Sequence, residues 1–209
     1  MTTTRRFPVG AAAFEASADG QTLDRLRRDL VERAAATDLL DVAYRTVDSP
    51  VGVLLVAATS IGLVRVAFPT EEHDRVLAEL AERVSPRLLE APSRLDRVAR
   101  ELAEYFARRR RVFDVPLDLR LAHGFRRDVL RQLPEITYGS TASYAAVAAA
   151  AGSPRAVRAV GSACATNPVP IVVPCHRVVR SDGSLGGYGG GIALKMRLLA
   201  LEAGTTAER

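Results

Sequence analysis

Apolar and polar residues follow regular patterns along the first half of the chain. Leucines three or four residues apart indicate a helix over 22–36, after a start that looks flexible. Apolar runs separated by Ser-Pro and Thr-Ser turn pairs indicate a small antiparallel sheet. The expected strands are 44–47, 51–58 and 61–68. Two amphipathic helices are expected after this sheet, at 71–84 and 93–110.

The second half of the chain has the pattern of a set of short helices. A proline-bearing segment at 112–121 predicts a linker, and a helix is expected at 124–133. The alanine-rich run 144–151 is preceded by Ser143, a typical N-cap residue, and followed by Gly152, a typical residue just past a helix C-terminus. These signals predict a short helix with defined ends.

A further helix after Gly152 would complete a helix-turn-helix, with Ser153 as its cap and Pro154 at its first position. At ~100° per residue, one side of this helix is apolar and would pack. That side holds Val157, Val160 and Cys164. The other side is small and basic, and it holds Arg155, Arg158, Ala159, Ser162 and Ala165. Such a side can approach DNA closely, although an ordinary exposed helix face is the alternative.

The charge of the chain is unevenly distributed. Residues 1–120 hold 19 basic and 19 acidic side chains, whereas 121–209 hold 10 basic and 5 acidic ones. The net charge of +5 therefore lies entirely in the second part, which is the candidate for meeting a polyanion. Lys195 is the only lysine among 29 basic residues, and its position therefore calls for an explanation.

Composition narrows the class of protein. With 48% hydrophobic and 25% charged residues, and no long apolar run, the 209-residue chain is expected to be a globular protein of the cytoplasm, without a membrane segment or a secretory signal. Two cysteines and three histidines exclude a disulfide scaffold and leave little material for a metal site. Any sulfur chemistry is expected from a free thiol.

The sequence Pro-Cys-His-Arg at 174–177 is the candidate reactive centre. It follows the apolar run 171–173, which is expected to be a buried strand. A thiolate is nucleophilic and an imidazole can take the thiol proton. Neighbouring side chains of an extended segment point to opposite faces, so proton transfer from Cys175 to His176 needs a turn or a bridging water. Such a pair alone is a weak indication.

Longer motifs surround this pair: NPVPIVVPCHRVV, SYAAVA, RAVG and a GYGGG…K…LLALE tail. With them, the stretch 136–202 closely resembles the active domain of the O6-alkylguanine-DNA alkyltransferases, also called methylated-DNA–protein-cysteine methyltransferases. The similarity continues more weakly through FDVPLDL and VDSPVGVLLVAAT, so that it covers about 44–203. It implies an α/β (α+β) fold, with a small sheet-and-helix domain before a mainly helical domain that bears a winged or plain helix-turn-helix.

The resemblance also implies a role for each reactive residue. Cys175 would be the alkyl acceptor, His176 a base acting through water, and Glu202 the carboxylate that orients and stabilises the imidazolium. Asn167 would hold the cysteine segment by hydrogen bonds, and Tyr144 would donate a proton to the guanine as the alkyl group leaves. A histidinium near Cys175 would lower the pKa of its thiol.

DNA contacts and a base pocket are implied as well. Arg158 would fill the base stack after the nucleotide rotates out, and Arg155 would contact phosphate, on the face shared with Ala159 and Ser162. The residues expected to line the pocket are Pro170, Val178, Tyr188, Gly186 and Gly189, with Lys195 near its rim. Gly189 stands where some members have serine, and Leu130 where many have tryptophan, so the preferred alkyl size is in question.

The expected function is irreversible transfer of the alkyl group from O6-alkylguanine, and less efficiently from O4-alkylthymine, in double-stranded DNA to Cys175. The thioether product is not hydrolysed, so each molecule acts once. We expect an N-terminal extension of unknown role at 1–43, a sheet-and-helix domain at 44–120 and a DNA-binding, alkyl-acceptor domain at 121–209. No metal or cofactor is expected. The protein would be a monomer, and clustering on DNA is left open.

Two other hypotheses stay open. A DNA-binding sensor or regulator could use alkylation of Cys175 as a signal, although a second reactive-cysteine domain is missing from the sequence. A Cys-His hydrolase would need turnover and an oxyanion hole that the sequence does not indicate.

Overall fold

The computed structural model describes residues 20–37 and 39–204, and its first half is built on a four-stranded sheet. The strands are β1 (Val42–Val47), β2 (Leu54–Ala58), β3 (Leu63–Ala67) and β4 (Leu88–Glu90). Their order is β3-β2-β1-β4, with β4 parallel to β1 and the other pairs antiparallel. The three expected strands are confirmed, but the purely antiparallel sheet is wrong. The three residues of β4 are too few to show a hydrophobic period.

Helices cover both faces of this sheet. They are α2 (His73–Arg83) and α3 (Asp96–Phe106). Residues of β2 alternate between the two layers: Leu54 shares a cluster with Leu102 of α3, whereas Leu55 shares one with Leu80 of α2. Because side chains of a strand point alternately to opposite faces, both layers are packed from one short strand.

Two predicted helices of the first half differ from expectation. Helix α1 (Gly20–Ala36) is present, but its Leu23, Leu26 and Leu30 are exposed, and Ala34 near its end is buried. Helix α3 begins three residues later than predicted, because a 3₁₀ turn at Pro92–Leu95 precedes it. The start of the chain that looks flexible in sequence lies outside the described residues.

The expected linker 112–121 is bound to the sheet. The Leu63 N–H donates to the Pro116 carbonyl (2.8 Å), and the Asp118 N–H donates to the Leu63 carbonyl (2.9 Å). The Thr59 hydroxyl donates to the Asp118 carboxylate (2.6 Å). The passage from the first half to the second is therefore held along the edge strand β3.

The second half is mainly helical, which confirms the predicted α+β organisation. Its helices are α4 (Gly124–Gln132), α5 (Tyr144–Ala150), α6 (Val157–Ala165) and α7 (Ile192–Ala203). A short parallel pair joins β5 (Ala142–Ser143) to β6 (Val178–Val179). The Ser143 hydroxyl accepts from the Ala146 N–H (3.1 Å), and Gly152 has φ +79°, so both predicted ends of α5 are confirmed. Among the described helices, none combines the length and apolar character needed to cross a membrane.

The second helix of the helix-turn-helix begins later than predicted. Its N-cap is Ala156, with no side-chain capping bond, so the expected cap at Ser153 is wrong. The Ala156 N–H instead donates to the Ser153 carbonyl (2.9 Å), which closes a turn. Arg155 consequently lies on this turn, and Val157 is 36% exposed rather than packed.

The run 171–173 is buried but is not a strand. Pro168, Pro170 and Pro174 lack the N–H groups that a ladder requires, and the run makes a single isolated bridge between Pro170 and Val173. Ile171 has φ +74°, in the left-handed region, and the Val173 N–H donates to the Val169 carbonyl (2.9 Å), so the run forms a turn. A buried turn therefore delivers the reactive centre.

Candidate active site

Cys175 begins a 3₁₀ turn, Cys175–Arg177, and is 2% exposed. Asn167 fixes the loop that carries it. The Asn167 side-chain amide donates to the Val173 carbonyl (2.8 Å) and to Cys175 Sγ (3.1 Å), while its oxygen accepts from the Val169 N–H (3.0 Å). One side chain thus ties both ends of the turn to the sulfur.

Burial governs the protonation of the reactive pair. It raises the pKa of Cys175 to about 11, although the hydrogen bond from Asn167 and the charge of Lys195 act in the opposite direction. Burial also lowers the pKa of His176, against the hydrogen bond with Glu202 that raises it. The resting site therefore holds a thiol and a neutral imidazole. The expected lowering of the Cys175 pKa by a histidinium is wrong for this state.

Glu202, on α7, accepts five hydrogen bonds. Its Oε1 accepts from the Tyr105 hydroxyl (2.7 Å) and Arg177 Nη2 (3.0 Å), and it lies 2.8 Å from His176 Nε2. Its Oε2 accepts from Arg177 Nε (2.9 Å) and the Gly139 N–H (3.1 Å). The sequence-based expectation that Glu202 orients His176 agrees with this contact.

The charge of Glu202 determines which nitrogen of His176 carries the proton. Burial alone would raise the pKa of Glu202, but the hydrogen bonds with His176 and Arg177 outweigh it and lower the pKa to about 2. An ionised carboxylate only accepts, so Nε2 of the neutral imidazole carries the hydrogen. The remaining nitrogen, Nδ1, is buried without a hydrogen-bond partner among the described residues and is the basic atom of the ring.

Two of these partners were missed in the sequence. Arg177 belongs to the Pro-Cys-His-Arg motif but received no role; it is 5% exposed and also donates to the Ile136 carbonyl (2.6 Å). Its signal was present, since a charged residue inside a buried apolar stretch needs a partner. Tyr105 gave no signal, because it lies 97 positions before Glu202 in a different half of the chain.

A cavity of ≈ 260 Å³ opens beside Cys175, between the two halves of the chain. Three expected pocket residues line it: Pro170, Tyr188 and Gly189. The opposite wall comes from the first half and includes Phe68, whose ring centroid is 5.8 Å from that of Tyr188. Cys164 also lines this space. Burial raises the pKa of its thiol to about 12, which disfavours the nucleophilic thiolate. Within the described ranges, no three His, Cys, Asp or Glu side chains are placed to hold a metal ion.

The other expected pocket residues lie around Tyr144. A Cβ atom on Gly186 would stand 2.1 Å from the Tyr144 hydroxyl, so any other residue there would require the Tyr144 ring to move. Lys195 is fully buried, and the expected position near the rim is wrong. Its ammonium donates to the Val178 carbonyl (2.6 Å) and lies 6.0 Å from the Tyr144 ring centroid. Burial lowers the pKa of Lys195 and raises that of Tyr144.

The expected DNA-binding residues share an exposed surface. Arg158, Ala159 and Ser162 are exposed on α6, and Arg155 is exposed on the turn before it. The sequence of α6, VRAVGSACA, has no acidic residue and no side chain larger than valine apart from Arg158. A single long cation therefore projects from a surface of small side chains.

Comparison with known proteins identifies both halves. Residues 124–204 match the 6-O-methylguanine DNA methyltransferase, DNA binding domain, and residues 42–119 match the ribonuclease-like domain of the same family. The methylated-DNA–protein-cysteine methyltransferase of Mycolicibacterium paratuberculosis is 42% identical over 161 residues, which cover 77% of this chain and 92% of that protein.

Two further matches are a structure solved in complex with DNA and a protein about twice as long as the matched region. The crystal structure of Mycobacterium tuberculosis OGT in complex with DNA is 39% identical, covers 79% of this chain and 96% of that one, and has a TM-score of 0.68. The bifunctional transcriptional activator/DNA repair enzyme Ada of Escherichia coli is 38% identical over 166 residues, but these are 46% of its length. The matched domains, the identity and the shared fold show that this chain belongs to the 6-O-methylguanine DNA methyltransferase family.

Proposed function

We propose that the protein repairs O6-alkylguanine in double-stranded DNA by transferring the alkyl group to Cys175, once per molecule. The observation that carries this proposal is a pair of contacts on neighbouring residues in a chain of this family: Asn167 binds Cys175 Sγ, and Glu202 binds His176. It supplies a positioned thiol and, on the neighbouring residue, an imidazole with one basic nitrogen.

The transfer balances without a cofactor. His176 Nδ1 takes the thiol proton through a water molecule, and Cys175 Sγ attacks the alkyl carbon as the bond from that carbon to guanine O6 breaks. The ionised Glu202 stabilises the imidazolium that forms. The guanine gains one proton from a donor in the pocket, and solvent returns the thiol proton from the imidazolium to that donor. The alkyl group remains on sulfur as a thioether, which explains a single turnover.

Tyr144 is the proposed donor of the proton to guanine. Burial raises the pKa of its hydroxyl, so it stays protonated until a basic atom of the departing guanine anion accepts from it. The buried ammonium of Lys195, 6.0 Å from the Tyr144 ring centroid, places a positive charge where negative charge develops. Pro170, Tyr188 and Gly189 are proposed to contact the base in the cavity beside the sulfur.

Base extrusion is assigned to Arg158. A guanine inside a duplex cannot reach a thiol that is 2% exposed, so the nucleotide must rotate out of the stack. The small side chains of α6 allow the helix to approach the DNA closely, and Arg158 is long enough to enter the space that the base leaves. Arg155, on the preceding turn, is proposed as a phosphate contact.

Other parts of the proposal rest on sequence alone. These are the domain limits 1–43, 44–120 and 121–209, the weaker activity on O4-alkylthymine, the monomeric state and the cytoplasmic location. The sensor hypothesis makes a different demand, because alkylation of Cys175 would then have to change the affinity of the protein for one particular DNA sequence.

The nucleophile assignment is tested by intact-mass spectrometry after incubation with a duplex that contains O6-methylguanine. The wild-type protein should gain the mass of one methylene, since a methyl group replaces the thiol hydrogen. Cys175→Ser should gain nothing yet still bind DNA, because a hydroxyl stays protonated near neutral pH and α6 is untouched.

Cys164→Ser is the matched control, since it removes the other thiol that lines the same cavity. It should retain the full mass gain. A gain that survives in Cys175→Ser, or that maps to Cys164 in the wild type, would overturn the assignment.

A further inference from the structure

The Glu202 site includes a side chain from the other half of the protein. Tyr105, on α3, is fully buried, and its hydroxyl donates to Glu202 Oε1 at 2.7 Å. Its ring is enclosed by Phe106, Phe113 and Tyr138, with centroid distances of 5.3, 5.4 and 6.1 Å. The ring therefore has no room to turn away, and the hydroxyl is fixed on the carboxylate.

Three donors share one oxygen of Glu202. Besides Tyr105, Oε1 receives His176 Nε2 at 2.8 Å and Arg177 Nη2 at 3.0 Å. A carboxylate oxygen has two lone-pair directions, so three donors compete for its charge. The hydrogen bond from the Tyr105 hydroxyl therefore weakens the hydrogen bond between Oε1 and the imidazole.

We propose that Tyr105 is a positioning residue which, acting through Glu202 Oε1, limits the basicity of His176 and so makes the N-terminal half part of the acceptor site. This inference rests on the proposed function, in which His176 takes the Cys175 proton. An imidazole bound too strongly by Glu202 would hold a proton near neutral pH, and a protonated imidazole cannot accept another.

The groups that face this pair agree with such a limit. Arg177 and Lys195 both lower the pKa of His176, whereas Glu202 raises it. The ring of Tyr188 lies 6.4 Å from the His176 ring, edge to face, and adds no charge. Burial disfavours the charged imidazole most strongly, so the strength of the Glu202 contact is the opposing influence that Tyr105 can modulate.

The test compares Tyr105→Phe with Tyr138→Phe in the full chain. Phenylalanine keeps the ring contacts of Tyr105 and removes only the hydroxyl that donates to Glu202. Tyr138→Phe is the matched control, because it also removes one buried tyrosine hydroxyl from the same aromatic group, and that hydroxyl has no hydrogen-bond partner in the described part of the chain. Thermal unfolding of both variants verifies that they fold.

Two measurements are made on each protein. The first is the NMR titration of the His176 ring in the unalkylated protein without DNA, where the sequence has only three histidines to resolve. The second is the single-turnover transfer rate as a function of pH. In Tyr105→Phe the titration midpoint of His176 should rise by ~1 pH unit, because Oε1 then binds the imidazolium more strongly. The acid limb of the rate profile should shift to higher pH by the same amount. In Tyr138→Phe both should match the wild type.

The outcomes separate this inference from the proposed function. A His176 midpoint in Tyr105→Phe that equals that of the wild type, or a ring that stays neutral down to acid unfolding in both, would overturn it. An equal upward shift in Tyr138→Phe would also overturn it, since the effect would then come from the aromatic group as a whole. A shifted midpoint together with no alkyl transfer in the wild type would refute the proposed function and leave only the effect of Tyr105 on the basicity of His176.

Discussion

Two buried glutamates, one in each half of the molecule, use similar partners for different ends. Glu101 on α3 is 1% exposed and accepts from Arg97 Nε (3.0 Å) and the Asp114 N–H (2.8 Å), with Arg110 Nη1 at 3.4 Å. Glu202 on α7 is 7% exposed and is likewise bound by an arginine and a backbone N–H. By burial and by these shared kinds of partner, the two carboxylates are alike.

The difference lies in two further partners of Glu202, the Tyr105 hydroxyl and the His176 imidazole. The groups bound to Glu101 are guanidinium and peptide N–H groups, which only donate hydrogen bonds. Glu202 also holds the imidazole of His176, which does titrate and which follows Cys175 in the chain. A buried carboxylate whose hydrogen bonds are all made is therefore not evidence of an active site. Its contact with a titratable group beside a nucleophile is such evidence.

The largest effect is expected from Glu202→Gln, which should slow transfer by ~10²–10⁴-fold, the usual size of a general-base contribution, because it disables the base His176. A neutral amide stabilises an imidazolium much less than a carboxylate does. Its NH₂ group would also face hydrogen-bond donors that the carboxylate had accepted from. His176→Ala should cost a similar factor, and the double variant should be little slower than the slower single one, because the two residues act as a unit. Single-turnover rates measure all three.

Multiplicative losses in that double variant would mean that Glu202 and His176 act independently. An unchanged rate in Glu202→Gln would place Glu202 in the same class as Glu101, as a residue of the folded core alone.

A smaller effect, on a different property, is expected from Glu101→Gln. Loss of hydrogen bonds to a charged buried group should lower the free energy of unfolding by about 2 kcal/mol, measured by urea denaturation. The transfer rate of the folded protein should stay within twofold of the wild type, since Glu101 contacts no titratable group of the acceptor site. A large loss of rate with unchanged stability would remove the distinction between the two acids.

The smallest effect is expected from an arginine that holds neither acid. Arg158→Ala should slow transfer from duplex DNA by ~10-fold and leave transfer from free O6-benzylguanine unchanged, because a free base needs no extrusion. Arg155→Ala is its control and should weaken DNA affinity and its salt dependence instead. Equal losses on both substrates in Arg158→Ala would indicate a damaged pocket.

Local signals in the sequence predicted much of this structure. The cap at Ser143 and the left-handed Gly152 were found because each acts within four residues of its helix. The strands β1 to β3 were found because their apolar runs end in recognisable turns. The positions of Cys175 and Asn167 in one contact were implied by a family motif in which they stand eight residues apart.

Signals that depend on distant parts of the chain were missed. The run 171–173 has the composition of a strand, and only the surrounding prolines and its buried partners force Ile171 into a reversed conformation. The late start of α6 depends on a turn that competes with capping by Ser153. Tyr105 meets Glu202 only after the two halves pack, so no local pattern could pair them.

The contact between Gly186 and Tyr144 has a consequence for how natural variants of this chain are interpreted. The Tyr144 hydroxyl can occupy its position because residue 186 is a glycine; a single added carbon there would overlap it. A glycine-to-alanine change there, which most substitution scales score as mild, alters the proposed proton donor without touching it. For this protein, the residues that determine reactivity therefore include Gly186, although glycine has no reactive group of its own.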